Sequence, residues 1–136
     1  MLYDMTKLED INIIAGAGQW PWQQAIRDIF TPRGVNVLVA NKTIEFTDIA
    51  AHRRIHAAII DADCDNEGLA VIKVFRIDFP LIPCIMLITK AQESFLGTAL
   101  ELDVFSVIEK PIDFDILRGQ LNRLFIRNYN STIFAQ

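Results

Sequence analysis

The chain has 136 residues, 51% of them apolar and 22% charged, with a formal net charge of −4. That is the length of one ordinary domain with apolar material for a sizeable core, and mild acidity without a basic patch speaks against nucleic-acid binding. No apolar run approaches a membrane span, and residues 1–10 lack the basic-then-apolar pattern of a secretory leader, so a cytoplasmic protein with no membrane partner is expected.

Short apolar runs alternate with amphipathic segments along the chain. Ile11 to Ala15 reads as a buried strand. Pro21 to Phe30 reads as a helix, with Pro21 in its first turn and Trp22, Ile26, Ile29 and Phe30 on one face. Pro32, Arg33 and Gly34 break it, and Val35 to Ala40 is a second strand. Thr47 or Asp48 can cap a helix running through His56. Ala57 to Asp61 is a third strand that ends at an acid, followed by a polar loop, Ala62 to Gly68. Leu69 to Arg76 is helical, with Leu69, Ile72 and Phe75 inward. Pro80 and Pro83 punctuate the chain, and Ile82 to Thr89 is a fourth strand. Gln92 to Leu102 is a helix with Phe95, Leu96, Ala99 and Leu100 on its buried side, and Val104 to Ile108 is a fifth strand. Asp113 to Phe125 is the last helix, carrying Phe114, Leu117, Leu121 and Leu124. The two cysteines, Cys64 in a polar stretch and Cys84 in an apolar one, read as free thiols.

Five βα units with near-continuous apolar strands imply a parallel sheet covered on both faces. Right-handed crossovers make it a doubly wound, three-layer α/β/α sandwich. The domain is expected over residues 1–126. Residues 127–136 form a C-terminal tail, which extends the helix, docks on a neighbour or stays disordered. There is no internal repeat, low-complexity segment or linker.

In such a sheet, ligands bind beyond the carboxyl ends of the strands. Those ends are Ala15-Gly16, Asp61, Thr89-Lys90 and Lys110-Pro111. One acid, one hydroxyl and one ammonium therefore converge on one rim. Alone, Asp61 has the weaker alternative reading of a cap for the next turn; its company with Thr89 and Lys110 favours a site further.

The runs Ala57-Ala58-Ile59-Ile60-Asp61, Met86-Leu87-Ile88-Thr89 and Val107-Ile108-Glu109-Lys110-Pro111 resemble the third, fourth and fifth strands of the receiver domain of two-component response regulators. The resemblance covers about residues 9–126. It implies a flavodoxin-like sheet of order 2-1-3-4-5 and a cis bond between Lys110 and Pro111. It also implies roles: Asp61 as phospho-acceptor, Lys110 as the phosphate's ion-pair partner and Thr89 as the hydroxyl that follows the phosphate. A sensor kinase or a downstream signalling protein would be the partner, and weak homodimers would form through the fourth helix, fifth strand and fifth helix. The chemistry explains the residue types. A carboxylate attacks a phosphoryl donor to form an acyl phosphate, and this meeting of two anions needs cationic help, usually Mg²⁺ and a lysine.

The departures matter as much. Where the family carries an acidic pair that holds Mg²⁺, this chain has Ala15 and Gly16. Glu9 and Asp10 precede the strand and lie at its other end. Val107 stands for the family's aromatic switch residue and Lys90 for its small residue after the hydroxyl. The loop after Asp61 is about one residue short and lacks proline. Asp63 or Asp65 offers oxygens beside Asp61, but alternate residues of a loop need not converge. No metal and no cofactor are therefore expected, and Asp61 is expected to pair with Lys110 or Lys90. The reading is a degenerate, non-enzymatic receiver-like module that signals by protein contact. The alternatives are a conventional phospho-acceptor and a sensor binding an anion over the Gly16-Ala17-Gly18 loop.

Other patterns carry less. Asp61-Ala62-Asp63-Cys64-Asp65 starts like an EF-hand loop, but Asn66 and Ile72 stand where Gly and Glu are needed. His52 and His56, four apart on the expected helix, lack a third ligand. Pro21 stands where a dinucleotide fingerprint needs its third glycine. Of Trp20 and Trp22, one belongs to the core.

Overall fold

The structure, a computed structural model, describes residues 10–63, 67–89 and 93–135. Its strands are β1 (Asn12–Gly16), β2 (Asn36–Ala40), β3 (Ala57–Asp61), β4 (Cys84–Ile88) and β5 (Ser106–Glu109). They form one parallel sheet in the order β2-β1-β3-β4-β5. Every residue of β1, β3 and β4 is buried, which is what strands covered on both faces require. Successive side chains point to opposite faces, so each strand feeds two cores. Ile13, Ala15, Ile59, Ile85 and Leu87 pack under the first and last helices, while Ile14, Ala58, Ile60 and Met86 pack under the helices of the other face.

The first helical segment is compound. α1 (Trp22–Ala25) widens into a π-helical turn (Ile26–Phe30) and closes with a 3₁₀ turn (Thr31–Arg33). Pro32 has no N–H to continue the ladder, and Gly34 ends the segment at φ 70°. α2 (Thr43–His52) begins a turn earlier than Thr47 or Asp48. The Glu45 carboxylate accepts the amides of Asn41 (3.2 Å) and Lys42 (3.0 Å), satisfying donors that the helix start leaves free. The helix also ends before His56. That residue is 1% exposed, its amide bonds to the Asn12 carbonyl, and it leads into β3. His52 stays on the surface, so the two histidines share no helix face.

α3 (Glu67–Asp78) buries Val71, Ile72 and Phe75. On α4 (Glu93–Glu101) Ala99 is buried but Leu100 is 82% exposed, contrary to its expected inward place. Neighbours on a helix lie about 100° apart, so the small Ala99 facing the sheet turns Leu100 outward. The side chains of Phe95 and Leu96 lie outside the described residues. α5 (Phe114–Tyr129) starts at Asp113, whose side chain accepts the Asp115 and Ile116 amides, and stops at Asn130 in the left-handed conformation. The helix thus crosses the expected boundary at residue 126. Phe134 then returns to the core, fully buried against Phe30 and Phe125. Among the described residues no helix is long and apolar enough to cross a membrane.

Candidate functional site at the carboxyl rim of the sheet

The register aligns the carboxyl ends of all five strands: Gly16 pairs with Ala40, Asp61 with Leu87, and Ile88 with Glu109. Asp61, Thr89 and Lys110 consequently meet on one rim. The Lys110–Pro111 bond is cis. Lys110 Nζ lies 2.6 Å from Asp61 Oδ2, with the two side chains 10% and 3% exposed. A carboxylate so buried is costly without a cation and donors. Its other oxygen, Oδ1, accepts the Asp63 amide at 3.0 Å.

That amide contact folds Asp61-Ala62-Asp63 into a tight turn, with the aspartate side chain bonded two residues on. The turn carries the Asp63 carboxylate back over the rim. Its Oδ2 lies 3.1 Å from Lys110 Nζ and accepts the Thr89 hydroxyl at 2.6 Å. Asp63 and Asp61 do converge, on one ammonium. Burial works against the ionised Asp63, but the Thr89 hydrogen bonds and the Lys110 ammonium outweigh it and hold its pKa below the ordinary value. Pro111 is exposed beside Lys110. Lys90, Cys64, Asp65 and Glu9 lie outside the described residues, and Asp10 is exposed ahead of β1.

Two glycines close the site from sides that sequence reasoning did not anticipate. A Cβ at Gly18 would stand 2.0 Å from Asp61 Oδ2, and one at Gly68 would stand 2.3 Å from the Asp61 carbonyl oxygen. The β1–α1 loop therefore lies directly on the acid. Its amides serve the loop itself and its neighbours: Ala17 donates to the Ala40 carbonyl and Trp20 to the Gly18 carbonyl. The buried Trp20 indole donates to the Gly16 carbonyl at 2.8 Å, making Trp20 the core tryptophan of the pair. The signal for these contacts was two glycines, one in the β1–α1 loop and one in the first turn of α3, legible only once both segments are known to touch the acid.

No family model matches the sequence, and no curated protein matches it. Solved structures match closely in shape. The signal receiver domain of an HD domain-containing protein from Pseudomonas fluorescens Pf-5 superposes with a TM-score of 0.79 at 16% identity, covering 90% of this chain and 99% of that one. A CheY-like response regulator receiver domain from Methanospirillum hungatei JF-1 gives 0.71 at 19% identity over 85% and 94%. The receiver domain of a putative Luxo repressor protein from Vibrio parahaemolyticus gives 0.77 at 11% over 88% and 93%. Sheet order, rim and shape agree: the chain has the fold of response-regulator receiver domains.

Proposed function

We propose that this protein is a receiver-like module of two-component signalling that works through protein contacts and without a Mg²⁺-dependent phosphorylation cycle at Asp61. One observation carries the reading: the Asp61 carboxylate is closed, with Lys110 on one oxygen, the Asp63 amide on the other and the Gly18 backbone against it. The donor set does not fit Mg²⁺, which takes carboxylates and waters in octahedral array. Ala15 and Gly16 offer no side-chain oxygen at the end of β1, and both Asp61 oxygens are engaged. The partner is a sensor kinase or a downstream signalling protein. Leu100 on α4 and Ile116 on α5 are exposed and suit a contact face, including a weak homodimer that sedimentation at high concentration would detect.

Incubation with acetyl phosphate and Mg²⁺, followed by intact-mass measurement, tests the reading. No stable gain of one phosphoryl group is expected, because losing the metal should slow transfer on the order of a thousandfold. A gain that disappears in Asp61→Asn sinks it and establishes the second reading, a conventional phospho-acceptor. That second reading is supported by the meeting of Asp61, Thr89 and Lys110 on one rim. The anion-sensor reading has the least support, since the Gly16-Ala17-Gly18 loop lies against a carboxylate.

A further inference from the structure

Lys110 and Thr89 together make a seat for an anion: a buried ammonium and a hydroxyl pointing at one spot beside Asp61. That spot is filled. Asp63 Oδ2 takes the Thr89 hydroxyl at 2.6 Å and the Lys110 ammonium at 3.1 Å. We propose that Asp63 is an internal anion that occupies the Thr89–Lys110 seat, holding the hydroxyl in place and masking a site for a tetrahedral oxyanion. The inference rests on the reading of a module without a phosphorylation cycle, and deepens it by naming what stands in the seat.

The placement is built into the chain. The turn that bonds the Asp63 amide to Asp61 Oδ1 sets the Asp63 side chain over the rim, against Thr89 and Lys110. Thr89 directly follows β4 and Lys110 directly follows β5, adjacent paired strands, and the Lys110 amide donates to the Ile88 carbonyl, which ties the two halves of the seat together. It is also reachable. Thr89 is exposed, and a cavity of about 340 Å³ lined by Trp20, Pro21, Thr89, Lys110 and Pro111 opens beside it. Yet a free anion arriving there meets a carboxylate already bonded to both donors. A tethered group competes as though present at millimolar concentration or more. It also adds a like charge that repels the newcomer.

Removing Asp63 should therefore unmask the seat. The probe is inorganic phosphate, titrated against the whole chain and followed by the Thr89 amide resonance. Wild type should show no saturation in the millimolar range. Asp63→Ala should bind at least about tenfold more tightly, and the gain should vanish in Asp63→Ala/Lys110→Ala. Asp63→Asn, which keeps an acceptor for Thr89 but loses the charge, should fall between. Trp20 fluorescence reports whether each variant is folded. A folded Asp63→Ala that binds phosphate no better than wild type overturns the internal anion. The parent reading fails separately, if wild type gains a phosphoryl group on Asp61 whatever Asp63→Ala does.

Discussion

At the scale of single residues, the site is a small network in which each group depends on the next. Asp61 is buried because Lys110 is there, and Lys110 is shared with Asp63, which holds Thr89. Breaking a buried pair from one side strands a charge, so Lys110→Met should lower unfolding stability by about 3–5 kcal/mol in urea titration. Gly18 makes a sharper prediction. A methyl group there would overlap the Asp61 carboxylate, so Gly18→Ala should cost about 1–3 kcal/mol. Asp61→Ala removes two of the three close atoms, Oδ2 and Cγ, and leaves Cβ at 2.7 Å. The combined variant should thus lose less than the sum of the two single changes. Strict additivity in that cycle would mean the loop does not rest on the acid. Asp61, Thr89 and Lys110 were legible in the sequence because strand ends on a parallel sheet must share a rim. Gly18 and Asp63 were not, because their roles depend on how two loops bend, and loop conformation has no periodic signal.

At the scale of elements, the C-terminal segment changes most between expectation and structure. Residues 131–135 are part of the domain, not an appendage. Phe134 is fully buried, with ring centroids 4.9 Å from Phe125 and 5.9 Å from Phe30. Two arginines from different elements hold the segment's main chain: Arg33 donates to the Ile133 carbonyl at 3.1 Å and Arg118 to the Phe134 carbonyl at 2.7 Å. Phe134→Ala should therefore cost about 3–5 kcal/mol, a core-sized loss from a position two residues before the last one. An unchanged urea midpoint would contradict it. The sequence did carry the stop signal, Asn130, which supplies the left-handed cap that ends α5. It did not reveal the return, since Ile133-Phe134 is too short a pair for either helical or strand periodicity. The strands were legible because full burial on both faces leaves unbroken apolar runs. The start of α2 was missed because its first donors go to Glu45, two residues ahead of Thr47, rather than to Thr47 or Asp48.

At the scale of the whole molecule, the sheet has a chemical end and a structural end, and α5 spans the distance between them. At the amino ends of β1 and β3, opposite Asp61, lies a second polar cluster. The Asn12 amide points at His56 Nδ1 at 3.2 Å, and the Asn12 side chain bridges the Arg54 carbonyl (3.0 Å) and Asn36 (3.2 Å). The His56 ring stacks on Phe125 and meets Tyr129 edge-on, while the Tyr129 hydroxyl donates to the His56 carbonyl. The Asn12 donor assigns Nδ1 as an acceptor, so the folded protein holds a neutral imidazole; its Nε2 is buried without a partner among the described residues. Protonation would put two donors face to face and place a charge among aromatic rings. Burial first, then the nearby Arg54 guanidinium, push the His56 pKa below the ordinary 6.5. The sign follows by linkage. Between the lowered folded value and 6.5, the unfolded chain binds the proton and the folded chain does not, so stability is greatest above pH 6.5 and falls as the pH drops below it. One such group gives a slope of at most about 1.4 kcal/mol per pH unit. His52 lies on the surface, with Nδ1 2.8 Å from the Asp48 carbonyl oxygen. Urea midpoints should accordingly fall between pH 7.5 and pH 5 in wild type, and fall less in His56→Phe, whatever that variant loses overall by leaving the Asn12 amide unpaired. Equal slopes in the two proteins would show that carboxylates, not this imidazole, set the acid sensitivity of the fold.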